Sequence, residues 1–336
     1  MPKLKVTVVG AGAWGTALAD HLARAGHEVR LWAYEPEVAQ AINEEHANPV
    51  FLPGFKLHPE LKGASDMAQA LTGAGLVVLV MPTHVFRAVL GQAAPHLPAQ
   101  ADIVACSKGI EGETGFTMCQ VAADVLAPEH QAHLAALSGP SFAKEVAGGA
   151  PTAVTVASGR PEVAQAVQAA FAGPRFRVYT SSDIIGVELG GAVKNPLAIA
   201  AGMVAGLELG HNAMSAMITR GLAEMTRLGL SLGADLATLA GLAGLGDLVL
   251  TCTGSLSRNR TVGTRLAKGE TIEEITSSMR QVAEGVKNTR TILSLAQRKG
   301  VEMPIIEAVE GVIYRGTHPE DALHELMTRE PKPEHY

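Results

Sequence analysis

The sequence predicts an α/β domain built on a doubly wound parallel sheet over residues 1–182, followed by an all-α domain over residues 183–336. Short β-branched runs alternate with helical patterns through the first half of the chain. This alternation ends with the strand-like segment 176–179 (FRVY), and from Asp183 onward the apolar residues keep helical spacing. A chain of 336 residues is long enough to bury two separate cores.

The predicted elements follow one another closely in the first half. Residues 5–9 (KVTVV) predict a buried strand, and residues 14–25 predict a helix that stops at Gly26. Residues 28–32 predict a second strand, and residues 36–45 a helix that opens with proline. Further strands are expected at 76–80, 102–105, 135–137, 152–156 and 176–179. Strands that alternate with helices predict parallel pairing with right-handed crossovers.

The amino-acid composition excludes some classes of binding partner and some cellular locations. The formal net charge of −6 argues against non-specific binding to nucleic acid or to an anionic membrane. The three cysteines, Cys106, Cys119 and Cys252, form no CxxC pair, which fits a reducing compartment and predicts no metal site. No apolar run approaches the ~20 residues of a membrane span, and the chain enters its first strand without a signal-peptide layout. A cytoplasmic protein is expected.

A glycine-rich turn follows the first predicted strand. Residues 10–15 read GAGAWG, so Gly10, Gly12 and Gly15 fit the G-x-G-x-x-G pattern at the start of a helix. In that position the glycines allow a tight turn, and a pyrophosphate can lie on the N–H groups of the helix start. A plain glycine turn is the alternative. The surrounding strand–turn–helix–strand pattern favours a Rossmann-like dinucleotide site.

The end of the second predicted strand bears on the choice between NAD and NADP. An acidic residue is expected there to bind the ribose hydroxyls of NAD. The strand instead ends at Ala33 or Tyr34, with Glu35 one or two residues late. Without a carboxylate at that position a 2′-phosphate is not repelled, and Arg30 could lie near it. The sequence is therefore interpreted as tolerating NADP, so the expected cofactor is NAD or NADP.

Polar residues follow two later strands. Lys108 comes directly after the strand that ends near Cys106, where ligands of doubly wound sheets gather, although a solvated surface lysine is nearly as good an interpretation. Ser141, in the segment GPSFAKE that begins at Gly139, could cap the next helix or leave backbone N–H groups facing a ligand. The residues alone leave both alternatives open.

The segment Ser257-Arg258-Asn259-Arg260 favours a phosphate site, with a solvated arginine face as the alternative. Ser257 is a good N-cap for the helix that follows. Arginines in a first helical turn oppose the helix dipole unless an anion is also present, and guanidinium groups bind phosphate well. Asp247, which lies between two apolar stretches, either caps a helix or is the buried counter-charge of Lys194.

Lys194 stands in the small, apolar segment ELGGAVKNPLAIAAG, residues 188–202. A buried ammonium is costly unless it has a partner or a function, and the alternative is a lysine that reaches out to water. On a helix, Lys194 leans back over Gly190 and Gly191. The two glycines are interpreted as leaving an open surface for a nicotinamide ring or a small substrate, and Pro196 as kinking or restarting the helix.

Several motifs together resemble the bacterial NAD(P)-dependent glycerol-3-phosphate dehydrogenases over nearly the whole chain. They are GAGAWGTALA, SGPSFAKEVA, ELGGAVKNPLAIAAGM, ITRGLAEM, GLAGLGDLVLTCT, SRNRTVG and VAEGVKNT. The layout is also similar to that of the wider β-hydroxyacid dehydrogenase superfamily.

The resemblance implies roles for individual residues. Lys194 matches the catalytic proton donor and acceptor, which also contacts substrate. Further positions that match substrate contacts are Lys108, Gly139, Ser141, Asp247, Ser257, Arg258 and Asn259. Cofactor positions, beside Gly10, Gly12 and Gly15 of the turn, are Ala13, Trp14, Tyr34, Lys108, Ala143, Arg258, Val282 and Glu284.

The activity implied by the resemblance is reversible hydride transfer between NAD(P)H and dihydroxyacetone phosphate, which gives sn-glycerol 3-phosphate for glycerophospholipid synthesis. The sheet domain would hold the dinucleotide, and the helical domain would close over the triose phosphate. Two alternatives remain: a related reductase of 2-keto or 3-hydroxy acids, and a regulator that binds NAD(P) without turnover. The apolar helical domain makes a homodimer plausible.

Overall fold

The computed structural model describes residues 3–279 and 283–334. The chain forms two compact units. The first comprises Met1–Gly191 and Gly233–Asp247, and the second comprises Ala192–Leu232 and Leu248–Tyr336. The division into functional domains at residue 182 stays a prediction.

The secondary structure of the first unit follows the predicted alternation, with helices placed between most of the strands. Its strands are β1 Lys5–Val9, β2 Glu28–Trp32, β3 Lys62–Ala64, β4 Leu76–Leu79, β5 Asp102–Ala105, β6 Leu134–Ser138, β7 Thr152–Ser158 and β8 Phe176–Ser181. The helices before residue 184 are α1 Ala13–Arg24, α2 Pro36–Glu45, α3 Met67–Leu71, α4 Thr83–Ala93, α5 Met118–Val125, α6 Pro128–Gln131, α7 Ala143–Ala147 and α8 Pro161–Phe171, with a 3-10 turn at Ala94–His96.

The remainder of the described chain contains helices and connecting segments, with no strand after β8 among those residues. These helices are α9 Ile184–Gly206, α10 Gly210–Ser231, α11 Leu236–Leu239, α12 Asp247–Thr253, α13 Arg258–Ala267, α14 Ile272–Ser278, α15 Glu284–Arg298, α16 Pro304–Tyr314 and α17 Pro319–Met327, with a π-helical segment at Leu242–Gly246. Helix α9 continues through Pro196, so the predicted restart at this proline is wrong.

The eight strands form one sheet in the order β3-β2-β1-β4-β5-β6-β7-β8. Strands β1 to β6 pair in parallel, in the doubly wound order. The chain first adds β2 and β3 on one side of β1 and then crosses to the other side of β1, where β4 to β6 follow. Strand β7 pairs antiparallel with β6, and β8 pairs parallel with β7. The predicted doubly wound parallel sheet is therefore confirmed, except that β7 and β8 run opposite to the other six strands, because a run of β-branched residues carries no information on strand direction.

Alternating residues of the central strands supply the cores on the two faces of the sheet. Val6 and Val8 of β1 belong to one buried cluster, and Val9 belongs to the other. Strand β4 follows the same rule, with Val78 in the first cluster and Val77 in the second. Strands buried on both faces appear as continuous apolar runs, which is why residues 5–9 and 76–79 are recognisable in the sequence.

Small residues allow close helix packing in the second unit. A Cβ atom added at Gly202 of α9 would collide with the carbonyl oxygen of Arg260 in α13. A Cβ added at Gly263 of α13 would in turn collide with the carbonyl oxygen of Ile199. The backbones of α9 and α13 therefore lie in direct contact, which accounts for the abundance of glycine in a chain with only 4% aromatic residues.

Two helical segments of the described chain, Ile184–Gly206 and Leu236–Thr253, are long and apolar enough to cross a membrane by length and composition alone. This differs from the expectation that no apolar run approaches the length of a span. In the first segment 89% of the apolar window is buried inside the protein, as in a core helix, and in the second 39% is buried. These helices are weak evidence for a membrane span.

Glu188 is a buried carboxyl group that ties α9 to α5. Its Oε1 accepts a hydrogen bond from the backbone N–H of Cys119 at 2.9 Å. Burial raises the pKa of Glu188 to about 7, because the charged form loses its hydration, and nearby hydrogen bonds only partly oppose this. The folded state therefore binds the Glu188 proton more tightly than the unfolded state does.

The titration of Glu188 predicts a loss of stability as the pH rises from acidic to neutral values. The contribution is fully present below pH 4.5 and is lost as the pH rises through about 7, by about 3 kcal/mol at most. Glu188→Gln, which stays neutral, should lose less stability than the wild type between pH 5 and pH 8 in urea denaturation. Glu162→Gln, at an exposed position, is the control. Equal slopes for wild type and Glu188→Gln would contradict the prediction.

Candidate functional site

The glycine turn connects β1 to α1 in the first unit. Gly10 has φ +114°, and a Cβ added there would lie 2.6 Å from the carbonyl oxygen of Val80, just beyond β4. A Cβ on Gly15 would collide with the carbonyl oxygen of Gly10. Both residues must be glycine, since the turn packs directly on the neighbouring strand and on itself. The turn lies at the carboxyl end of β1, beside the point where the strand order reverses.

Gly12 differs from the other two glycines of the motif. It is the N-cap of α1 in extended conformation, with φ −64°, and a Cβ added there would meet no atom within 4 Å. The backbone of the chain therefore does not require glycine at this position. The open space above Gly12 adjoins the helix start, where unpaired N–H groups attract an anion. These features fit the pyrophosphate of a dinucleotide.

Gly12→Ala is expected to fold normally and to bind NADH or NADPH more weakly, because the added methyl group would occupy the space predicted for the pyrophosphate. The expected loss of affinity is roughly 10-fold or more, equivalent to one lost charge-assisted hydrogen bond. Fluorescence titration of the reduced cofactor and thermal unfolding test the two halves of this prediction. Gly91→Ala in α4, which also meets no atom, is the matched control. Unchanged affinity would contradict the role of Gly12.

The other predicted cofactor positions of the first unit lie near the same ends of the sheet. Ala13 and Trp14 form the first turn of α1, Tyr34 follows β2 with 78% of its surface exposed, and Ala143 begins α7. Arg30 donates to the carbonyl oxygens of Gln69 and Thr72 at 2.8 and 3.1 Å. Because its guanidinium group is held against the end of α3, this geometry does not favour the hypothesis that Arg30 receives a 2′-phosphate.

Lys108 and Asp247 form an ion pair in the first unit. The Nζ atom of Lys108 donates to Asp247 Oδ2 at 2.7 Å and to the carbonyl oxygen of Gly139 at 2.9 Å. Asp247, the first residue of α12, is 1% exposed, so its charge is neutralised inside the protein rather than by water. Three residues predicted to contact substrate therefore lie together. That Asp247 is also the counter-charge of Lys194 stays a prediction.

Gly190 and Gly191 do not leave an open surface. A Cβ on Gly190 would collide with the carbonyl oxygen of Ala243, and a Cβ on Gly191 would lie 2.7 Å from Ser138 Oγ and 3.4 Å from Cγ of Lys108. The interpretation that these glycines make room for a ligand is wrong, because protein atoms fill the space. The two glycines instead let α9 approach the π-helical segment 242–246 and the side chain of Lys108.

Ser141 does not cap a helix. The N-cap of α7 is Phe142, and the Ser141 hydroxyl donates to the carbonyl oxygen of Gly139 at 3.0 Å. The capping interpretation is therefore wrong. Gly139 has φ +148°, and a Cβ there would lie 2.9 Å from Cα of Val154 in β7. The turn after β6 consequently places the Gly139 carbonyl where both Lys108 and Ser141 reach it.

Lys194 is buried within the second unit, with 7% of its surface exposed. Its Nζ donates a hydrogen bond to Thr251 Oγ1 at 2.8 Å. Lys194 is carried by α9 and Thr251 by α12, four residues after Asp247 on the same helix. The alternative of a lysine that reaches out to water is therefore excluded, and the side chain is held by a specific acceptor.

The start of α13 carries the predicted phosphate-binding segment. Ser257 is the N-cap, and its hydroxyl accepts from the N–H of Arg260 at 3.2 Å, which confirms the predicted cap. Arg258 is the first helical residue and is exposed. Although the residue keeps part of its surface in solvent, surrounding protein atoms remove some of the hydration of its guanidinium group, which lowers the pKa of Arg258, and the charge of Glu284 at the start of α15 opposes this shift. Val282, the other predicted cofactor position there, lies outside the described residues.

Asn259 joins three helices of the second unit. Its Nδ2 donates to Asn195 Oδ1 at 2.9 Å, and its Oδ1 accepts from the N–H of Gly285 at 3.0 Å. Asn195 is the residue after Lys194 in α9, and Gly285 follows Glu284 in α15. Asn259 therefore links the part of α9 that carries Lys194, the first turn of α13 and the start of α15.

Thr251 and Asn195 were not predicted as site residues, although each contacts a residue that was predicted. Thr251 could have been found from its position four residues after Asp247, which places both on one face of a helix. Asn195 is adjacent to Lys194. A second polar residue in an apolar run needs a hydrogen-bond partner when buried, and this could have indicated that Asn195 belongs to the site.

The chain matches two family models. Residues 5–164 match the model described as NAD-dependent glycerol-3-phosphate dehydrogenase N-terminus, and residues 183–324 match the corresponding C-terminus. A protein of Geobacter sp. (strain M21), named glycerol-3-phosphate dehydrogenase [NAD(P)+], is 53% identical over 330 residues, which cover 98% of each chain. The relative of that name from Anaeromyxobacter dehalogenans is 53% identical over 331 residues, 98% of this chain and 100% of the relative.

Solved structures are also similar to this chain. A glycerol-3-phosphate dehydrogenase of Coxiella burnetii is 40% identical with a TM-score of 0.92, over 97% of this chain and 99% of that one. A ketopantoate reductase of Ralstonia eutropha has a TM-score of 0.61 at 18% identity, over 96% of this chain and 100% of that one, and shares the fold alone. The glycine turn, the buried Lys194 and these full-length matches place the chain in the NAD-dependent glycerol-3-phosphate dehydrogenase family.

Proposed function

We propose that this protein reduces dihydroxyacetone phosphate to sn-glycerol 3-phosphate with NADH or NADPH, and catalyses the reverse reaction. The observation that carries the proposal is the full-length identity with relatives named for this activity. The geometry supports it, since the chain has a turn that fits a dinucleotide, a buried lysine and an arginine at a helix start.

The reaction needs a hydride at C2 of the ketone and a proton at its oxygen. When bound, the nicotinamide cofactor supplies or accepts the hydride. Lys194 supplies the proton: its ammonium group polarises the ketone oxygen and donates as the alkoxide forms, and in the reverse direction the amine accepts the alcohol proton. Thr251 fixes the orientation of the Lys194 Nζ atom through the bond of 2.8 Å. Burial strengthens the interaction of the ammonium group with developing negative charge.

The cations are proposed to divide the remaining tasks. Arg258 and the N–H groups of the α13 start hold the phosphate, because α13 carries basic residues and no acidic residue in its first turn. Lys108 contacts substrate, and Asp247 fixes its position and balances its charge. Further residues proposed to contact substrate are Gly139, Ser141, Ser257 and Asn259. Residues proposed to contact the cofactor are Ala13, Trp14, Tyr34, Ala143, Val282 and Glu284.

Oxidation of NADH and of NADPH, measured side by side with dihydroxyacetone phosphate, tests the proposal. A panel with unphosphorylated dihydroxyacetone, a 2-keto acid and a 3-oxo acid separates it from a related reductase. Turnover that requires the phosphate is the expected result. Turnover with a keto acid alone would favour the related reductase, and the absence of turnover with every substrate would favour a nucleotide-binding regulator.

We also propose that the protein is a cytoplasmic enzyme without a membrane span, which supplies glycerol 3-phosphate for glycerophospholipid synthesis. The family relationship and the negative net charge support this setting. We further propose a homodimer, which the apolar composition of the helical domain supports. Sedimentation of the purified protein with and without detergent tests both the membrane and the oligomer proposals.

A further inference from the structure

An ion pair connects the segment that carries Lys108 to helix α4. Arg87, on α4, donates from Nε to Glu111 Oε1 at 2.8 Å and from Nη2 to Glu111 Oε2 at 2.9 Å. Two parallel hydrogen bonds between a guanidinium and a carboxylate fix both groups in one orientation. Glu111 is three residues after Lys108 in the segment 106–117, which we call the lysine loop and which connects β5 to α5.

The lysine loop needs such a fixation because it contains three glycines, Gly109, Gly112 and Gly115, each of which adds backbone freedom. Glu111 holds the part of the loop that follows Lys108. Its carboxylate also accepts from the Thr114 hydroxyl at 2.6 Å, its N–H donates to the carbonyl of Phe116, and its carbonyl accepts from the N–H of Gly115. The Arg87–Glu111 pair therefore anchors a folded turn rather than a single side chain.

Lys108 lies between two anchors of the loop. Before it, the Ser107 hydroxyl donates to the carbonyl oxygen of Met81 at 2.6 Å. After it, the backbone returns through Ile110, which is buried, to the Arg87–Glu111 pair. The side chain of Lys108 must reach Asp247 and the Gly139 carbonyl from this short span. A shift of either anchor would therefore move the Lys108 ammonium.

The pair differs from an ordinary surface ion pair. The side chain of Glu111 is 12% exposed, and hydrogen bonds from Arg87 hold its pKa below the usual range, so it stays charged at neutral pH. Arg87 also contacts Asp124 of α5 at 2.5 Å, but the side chain of Asp124 is 52% exposed. Exposed single ion pairs contribute little to the stability of a local structure, whereas a bidentate pair with a shielded carboxylate contributes more.

We propose that Arg87 and Glu111 are positioning residues for Lys108, and that they set the affinity for the phosphorylated substrate without contacting it. The inference rests on the proposed function of the protein. Loss of the pair would let the lysine loop sample other conformations, so Lys108 would bind substrate less well in both the ground state and the transition state. Such a loss of uniform binding appears in KM more than in kcat.

Glu111→Gln, Arg87→Ala and the double variant test this inference. Each single variant should raise KM for dihydroxyacetone phosphate by roughly 10-fold, since small misplacements of binding groups have effects of this order. Their kcat should stay within about 3-fold of wild type, and the NADH dissociation constant should be unchanged. The double variant should be no worse than Arg87→Ala, because Glu111→Gln weakens the same contact that Arg87→Ala removes. Asp124→Asn, which removes only the exposed contact of Arg87, is the matched control and should leave KM unchanged.

A lower melting temperature with unchanged KM would overturn the inference and leave the pair a purely structural one. Additive effects on KM in the double variant would also overturn it, since the two residues would then act separately. Glu111→Gln keeps the size of the side chain and its acceptor for Thr114, so a folded variant is available even if Arg87→Ala unfolds. Failure of the wild type to turn over dihydroxyacetone phosphate would instead overturn the proposed function.

Discussion

Replacing Lys194 with alanine is expected to lower kcat by roughly 10²- to 10⁴-fold, the usual range for the loss of a general acid. The buried ammonium is held by Thr251, and without it the proton must come from water. The affinity for NADH and NADPH should change little, because the glycine turn that fits the dinucleotide lies elsewhere in the sequence. Steady-state kinetics and a cofactor titration measure the two quantities.

Two further variants make the Lys194 result decisive. Lys194→Met keeps most of the side-chain volume without the charge, so it separates loss of the proton donor from the cavity that alanine leaves. Lys299→Ala removes an exposed lysine and is the control for a change in net charge. Near-wild-type kcat in Lys194→Met would remove Lys194 from the mechanism.

Arg258→Ala is expected to raise KM for dihydroxyacetone phosphate by roughly 10- to 100-fold, since a hydrogen bond to a charged group contributes about 1.5–3 kcal/mol. The residue is exposed at the first position of α13, where the helix dipole also favours an anion. A smaller effect on kcat is expected, because the phosphate group takes no part in the hydride or proton transfer.

The control for Arg258 is Arg265→Ala in the last turn of the same helix, which removes the same charge away from the proposed phosphate site. The second comparison uses unphosphorylated dihydroxyacetone, for which wild type and Arg258→Ala should be equally poor. If the wild type reduces dihydroxyacetone as well as its phosphate, the role of Arg258 as a phosphate ligand is wrong.

Much of the fold could be predicted because its signals are local. Strands β1, β2 and β5 and helix α2 begin and end where the sequence predicts, since apolar periodicity and proline or glycine act within a few residues. The short strand β3 was missed, because Lys62–Ala64 has neither β-branched residues nor alternation. The Ser257 cap was predicted correctly for the same local reason, whereas Ser141 has the right residue type in a turn that does not place it at a cap.

The sequence by itself determined most strands of the first unit, the glycine turn and the family, because these depend on short patterns and on the chain as a whole. The tertiary structure alone decided which residues meet. It reverses β7 against β6, brings Lys108 to Asp247 across 139 positions, and fills the space beside Gly190 and Gly191 with protein atoms. Each of these contacts joins separate segments of the chain, and local patterns cannot specify such pairs. Contacts of this kind depend on how complete helices and strands pack.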